Sequence, residues 1–387
     1  MNSTDQADNI LEKLERIIKT GDRETGTFIA QEALAIYDRE RDRLQRSPPS
    51  ADNSQRLAIV EKKMGDVNFI IGRLDTALEH YTKSKNLNKD LGDRKNLADA
   101  YQKMGNIFQL RASWETAIEY YDQALRIYQQ VGDESGHAEV LRSMGYINWR
   151  MGNFDKAVEF YQRCLKMAES MNDIHLLGKC YIEIGNVANE RGQMEEAMSY
   201  YEKSLIMLEK VKDPFELARA YNNIGDIYIK KKQWQEGIKY FEKCHRIAGR
   251  IRDPRWKGWA LFNAAECYSK DGNPQKALEY CQKAEMALSG TEDRVGKAYV
   301  LINYGIAYRF LKDWAMSVSK FKTGVQMLEA LNVPAAMAWS YVEFADVYIE
   351  KGDKDLGAVY LKKALDLHMK LGNTTFVKEL SRRLGTL

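Results

Sequence analysis

Apolar residues recur along this chain at helical spacing, and the whole pattern returns every forty residues. Tyr101, Met104, Gly105 and Phe108 fall on one stripe of a helix, three and four residues apart. After Ser113 a second stripe runs through Ala117, Tyr121, Ala124 and Tyr128. Written in rows of forty, the chain resolves into columns. Gly65, Gly105, Gly145, Gly185, Gly225 and Gly305 share one register, with Ala265 and Ala345 in the two gaps. Tyr81, Tyr121, Tyr161, Tyr201, Phe241 and Phe321 form an aromatic column. Ala77, Ala117, Ala157, Ala197 and Ala277 form a small one, with Gly237 and Gly357 as stand-ins. A small residue on each helix lets two backbones approach closely while the bulky column packs beside them. The pattern predicts a pair of helices in every row.

The row ends carry their own signals. Asp93, Asp133, Asp173, Asp213, Asp253 and Asp293 stand where one row's second helix stops and the next row's first helix starts. Gly92-Asp93 and Gly132-Asp133 supply a left-handed stop followed by an N-cap acceptor. Asp213-Pro214 and Asp253-Pro254 put proline at the first helical position, where its missing N–H costs nothing. Each row reads as helix, tight turn, helix, cap. Eight rows span residues 58–377. Residues 1–57 read as a degenerate N-terminal helix pair, in which Gly26, Ala30 and Ala33 match the second-helix columns, and a linker over 46–54 that is the one plausible hinge. Leu384-Gly385 falls back on the glycine column, so residues 378–387 read as the end of a truncated capping helix.

Composition narrows the function. Net charge is +3, from 58 basic and 55 acidic side chains, too balanced for the excess basic field that drives nucleic-acid binding. No apolar run approaches the roughly 18 residues of a membrane span. The start, MNSTDQADNI, lacks the basic and apolar stretches of a signal peptide, so a cytoplasmic protein is expected. Cys164, Cys180, Cys244, Cys267 and Cys281 are scattered, odd in number and without a CxxC, as expected of buried thiols in a reducing compartment. Metalloprotease, P-loop and dinucleotide-binding motifs are absent, and no Cys/His pair has metal-ligand spacing. Neither catalysis, a cofactor nor a metal is expected.

The columns resemble the tetratricopeptide repeat. Tyr221, Ile224, Gly225 and Tyr228, followed by Gly237 and Phe241, match its pattern position by position. The forty-residue period exceeds the usual one of roughly 34, and is similar to the subgroup found in spindle adaptors, kinesin light chains and bacterial quorum-sensing regulators. The resemblance implies an all-α, right-handed superhelical solenoid of antiparallel helix pairs, whose first helices line a concave groove that grips an extended peptide. It implies a protein- or peptide-binding scaffold or adaptor. A rival reading is a peptide-sensing regulator of the quorum-sensing type that acts on a response regulator through an N-terminal bundle, although residues 1–57 supply only about two helices and no helix-turn-helix signature is evident. Self-association is possible but nothing in the sequence indicates it.

In that subgroup asparagines commonly hydrogen-bond the ligand backbone. Two residues before the glycine column, at the groove register, stand Asn223, Asn263 and Asn303, flanked by Asn222; one residue past it stand Asn106 and Asn186. An amide both donates and accepts, so a row of them can pair with any peptide backbone. The competing explanation is that they cap or bridge neighbouring repeats. Trp259, Tyr299 and Trp339, among other aromatics at groove registers, are candidate anchors for apolar side chains, or else extra packing between repeats. Arg219, Lys230 and Arg309 are candidates to hold an acidic side chain or a C-terminal carboxylate, whereas the last row offers only acids, Glu343, Asp346 and Glu350. Trp114, Trp234 and Trp314 begin second helices and should be core.

Overall fold

A computed structural model of the chain describes residues 3–19 and 23–387. Residues 1–2 and 20–22, which belong to the expected N-terminal pair, lie outside the described residues. The described residues form nineteen helices and no strand. Two compact units divide them, Met1–Asp213 and Pro214–Leu387. The first unit holds α1 (Ser3–Lys19), α2 (Arg23–Arg46), α3 (Ala51–Ile70), α4 (Leu74–Leu91), α5 (Arg94–Leu110), α6 (Trp114–Val131), α7 (Glu134–Arg150), α8 (Phe154–Ser170), α9 (Ile174–Glu190) and α10 (Met194–Val211). The second holds α11 (Pro214–Lys230), α12 (Trp234–Arg250), α13 (Pro254–Lys270), α14 (Pro274–Leu288), α15 (Arg294–Phe310), α16 (Trp314–Leu331), α17 (Pro334–Lys351), α18 (Lys354–Lys370) and α19 (Thr374–Gly385). Within each unit, consecutive helices pack as antiparallel pairs joined by short turns, the all-α architecture the columns predict.

The glycine column has a measurable cause. A methyl carbon added at Gly185 would sit 2.6 Å from Cε1 of Tyr201, sixteen residues on, and the other five glycines face Tyr81, Tyr121, Tyr161, Phe241 and Phe321 in the same way. The two alanines in the column confirm the logic. Ala265 shares a cluster with Cys281, and Ala345 with Leu361, where the aromatic has been replaced by a smaller side chain. A Cβ is present where the facing residue leaves room for it.

The turns repeat on half that period. Left-handed backbone recurs every twenty residues, at glycine in Gly72, Gly92, Gly132, Gly152 and Gly192 and at other residues in Ala112, Asn172, Lys212 and Lys232. Short turns at both ends of a hairpin therefore use one geometry. The aspartate column caps the first helices: Asp93, Asp133, Asp173, Asp253 and Asp293 each accept the backbone N–H three residues on, at 2.8–3.1 Å.

At the N-terminal end, the expected linker is nearly absent. Ser50 caps α3, its Oγ accepting the Asn53 N–H at 3.1 Å, so only residues 47–50 separate α3 from α2. Arg56 pairs with Glu40 at 2.8 Å across that junction. Leu11, Leu14, Ile29, Ala33 and Tyr37 share one core cluster with Val60, Met64 and Val67 of α3. At the other end, α19 buries Leu380 against the last hairpin. Trp114, Trp234 and Trp314 are half-buried and pack on their neighbours' clusters. No described helix is long and apolar enough to cross a membrane.

Candidate functional site

In the first unit the candidate asparagines are internal partners. Tyr121 donates its hydroxyl to Oδ1 of Asn106 at 2.7 Å, and Tyr201 donates to Oδ1 of Asn186 at 2.9 Å. Tyr81 does the same to Asp66 at 2.8 Å. Past Gly65, Gly105 and Gly185 the next residue thus accepts from the aromatic column fifteen residues later, within its own hairpin, whereas Gly145 is followed by Tyr146. This supports the bridging explanation for Asn106 and Asn186 over a row of amides waiting for a ligand. Other first-helix charges pair across repeats, Lys62 with Asp99 at 3.1 Å and Lys103 with Asp66 at 2.8 Å, or along one helix, Arg142 with Glu139 at 2.9 Å.

The second unit keeps the acids of this column and loses the hydroxyls. Asp226, Glu266 and Asp346 stand where the facing residues are Phe241, Cys281 and Leu361. None of those can donate a phenolic proton. Asp226 receives a long bond, 3.5 Å, from Nδ2 of Asn222. Burial pushes its carboxyl up to about 7, with Lys230 opposing and Glu266 adding to the rise.

The other acids have cations, Glu266 from its own helix and Asp346 from other repeats. Lys270 on α13 donates to Glu266 at 2.7 Å and to Glu343 on α17 at 2.9 Å. Arg309 on α15 contacts Glu343 at 3.1 Å, Asp346 at 3.5 Å and Glu350 at 3.7 Å. Arg383 on α19 pairs with Asp346. Burial pushes the Glu343 carboxyl up, but Lys270 and Arg309 outweigh it and hold the group below the usual carboxylate range. The three acids read as a bare last row are therefore the counter-charges of Arg309, which is itself 6% exposed.

Asn222, Asn223, Asn263 and Asn303 do not form an open row of solvated amides. Asn222 is 4% exposed, and its Oδ1 accepts from Nδ2 of Asn263 at 3.1 Å. Asn303 is 1% exposed and turns its Nδ2 to the carbonyl of Tyr299 at 3.0 Å. Asn223 is half-buried and has a partner of its own. Their register is as expected; their burial is not. Arg219 pairs with Glu216 at 2.8 Å on its own helix, and Lys230 is exposed.

The aromatic candidates do come together. Trp259, Tyr299 and Trp339 occupy one register on α13, α15 and α17, with successive ring centroids 5.9 and 5.4 Å apart. Phe262 stacks on Tyr299 at 5.4 Å with an interplanar angle of 8°. Nε1 of Trp259 donates to Asp293 at 2.7 Å, which fixes that ring. All three residues of the strip keep part of their surface exposed. Each lies one helical turn before a member of the next row, Asn263, Asn303 and Glu343, so an aromatic row and a polar row run side by side. Among the described residues no group of His, Cys, Asp and Glu could hold a metal ion.

Comparison with known proteins agrees with the geometry. No curated protein sequence matches this chain. Among solved structures, the apo form of RapI is similar over 95% of this chain and 99% of its own, with 18% identity and a TM-score of 0.67. The Rap conjugation gene regulator of the plasmid pLS20, in complex with the Phr* peptide, is similar over 96% and 97%, with 14% identity and a TM-score of 0.63. The apo form of the quorum sensor NprR from B. thuringiensis is similar over 94% and 99%, with 15% identity and a TM-score of 0.63. At these identities the likeness is one of fold. Tetratricopeptide repeat models match residues 55–130, 96–170, 136–210, 216–289 and 340–367, more than half of the sequence. With glycines and aromatics packed in register and helix pairs from end to end, the chain belongs to the tetratricopeptide repeat family.

Proposed function

We propose that this protein is a non-catalytic scaffold that holds an extended peptide segment of a partner along the first helices of its second unit. The observation that carries the reading is the strip of Trp259, Tyr299 and Trp339. Large aromatics in one continuous row bury much area for little rotamer entropy, which suits them to anchor apolar side chains. A solenoid touches itself only between near neighbours, so it offers a long open face in place of an enclosed catalytic pocket. The near-balanced charge favours a protein or peptide ligand over nucleic acid, and we place the protein in the cytoplasm.

Tryptophan fluorescence tests this directly. A pool of acetylated, amidated hexapeptides is titrated into the wild type and into Trp339→Ala. The best binder should lose about 2 kcal/mol, roughly thirtyfold in affinity, in the variant. A variant that binds equally well places the ligand elsewhere.

A second reading has one observation in its favour. The likeness to RapI and to NprR runs over 95% and 94% of the chain, more than the eight rows over 58–377 alone make up. In that case α1 and α2 would present the output surface of a peptide-sensing regulator acting on a response regulator. A chain lacking residues 1–46 that keeps its peptide but loses a second protein partner would support it.

A further inference from the structure

The Lys270–Glu343 ion pair skips a repeat. Its atoms are 2.9 Å apart although 73 residues separate them, and contacts in a stack of hairpins normally join adjacent units. Between α13 and α17 lies α15, so the pair crosses the face of α15 that carries Asn303, Ile306 and Arg309. All three are buried. Asn303 uses its Nδ2 on the Tyr299 carbonyl, while its Oδ1 accepts no hydrogen bond from the described residues. A buried acceptor left unmet is costly and uncommon, and its neighbours in the same register, Asn263 and Glu343, are both engaged.

The pair is also built to open. Lys270 keeps Glu266 at 2.7 Å, and Glu343 keeps Arg309 at 3.1 Å. Breaking the bridge therefore leaves neither charge alone, which removes the main penalty of parting a buried ion pair. Tyr299 lies one turn before Asn303 and Trp339 one turn before Glu343, so a chain lying along the aromatic strip would bring its backbone N–H groups over this row.

We propose that Lys270 and Glu343 form a clasp over a latent subsite, and that opening it exposes Asn303 Oδ1 to accept a backbone N–H of the bound peptide. The inference rests on the peptide reading above and adds its regulation: binding competes with an internal ion pair.

Two measurements separate the clasp from the ligand. In the first, Asn303→Cys is labelled with dithionitrobenzoate, with and without Lys270→Met or Glu343→Gln, each checked for native helix content. Opening the clasp from either side should speed labelling about tenfold, the factor that a bias of about 1.4 kcal/mol gives. Unchanged labelling in both variants overturns the clasp whatever the peptide does. In the second, the hexapeptide pool is titrated into Lys270→Met and into Lys270→Met with Asn303→Leu. The expected result is several-fold tighter binding in the first and loss of that gain in the second. N-methylation at one peptide position should likewise abolish the gain. Faster labelling with unchanged affinity for a peptide that does bind overturns the subsite. Faster labelling with no peptide bound by any form retires the peptide reading alone.

Discussion

Gly185 offers a sharp test of how the repeats hold together. A methyl group added there would meet Cε1 of Tyr201 at 2.6 Å and Cδ1 at 2.8 Å, well inside van der Waals contact. The ring has nowhere to go: Tyr201 is fully buried, and its hydroxyl is tied to Asn186 at 2.9 Å. Gly185→Ala should therefore cost about 1–3 kcal/mol by overpacking, although alanine is the better helix former. Tyr201→Leu alone should cost about 2–4 kcal/mol, through lost packing and the lost hydrogen bond to Asn186. The chain itself shows the remedy, since Ala345 faces Leu361 at the same register. The double variant should thus be more stable than the sum of the two losses by about 1–2 kcal/mol. Urea unfolding followed by circular dichroism measures all four proteins, with amide exchange over α9 and α10 as a local readout should the transition lose cooperativity. Strict additivity would refute the argument that the glycine column exists to seat the rings. Gly192 is the control. It has φ +76° and nothing within 4 Å of an added methyl, so Gly192→Ala acts through the backbone alone. Its cost should be about 1 kcal/mol, and Gly192→Asn should cost less, as Asn172 and Asn332 already adopt that conformation.

Three further outcomes follow from the structure. The Asp226 carboxyl titrates near 7 when folded, well above its unfolded value, so the native state binds the extra proton and stability falls as pH rises from about 4 to about 7; Asp226→Asn should remove that fall, gaining about 1–3 kcal/mol over wild type at pH 8 and little at pH 4 in thermal or urea unfolding. All five cysteines are buried, and burial pushes the Cys244, Cys267 and Cys281 thiols up, so iodoacetamide should add nothing to the native protein and five adducts after unreduced denaturation; three adducts would reveal a disulfide, with Cys164 and Cys180, whose sulfurs lie 3.2 Å apart, the pair to examine. Asp133→Ala removes the cap on the Gly136 N–H and the 2.9 Å pair with Lys95, and should lower stability by about 1 kcal/mol, with early exchange of the first amides of α7 as the local sign.

The sequence by itself determined everything that depends on fixed short offsets. Helix pairs, left-handed turns, aspartate caps and the glycine–aromatic contact all link residues three to sixteen positions apart, and a helical hairpin of constant length turns those offsets into contacts. The exceptions follow the same offset, since Ala265 and Ala345 stand opposite Cys281 and Leu361, both smaller than the aromatics of the column. The aromatic strip was also readable, since one register on successive first helices must form a row.

What only the tertiary structure decided is who covers whom. Register placed Asn303 and Arg309 on the groove side, but not their burial, nor the Glu343 carboxylate that Arg309 shares with Lys270 of α13, since a lysine's reach over an intervening helix leaves no periodic trace. Glu343 was visible as an acid of the last row; its pairing with Lys270 across 73 residues was not. The same limit applied to Asn106 and Asn186, whose amides looked available until Tyr121 and Tyr201 were seen to point their hydroxyls at them. Spacing determines which face a residue stands on, whereas the partner it finds there depends on the conformation of side chains that the fold brings together from other repeats.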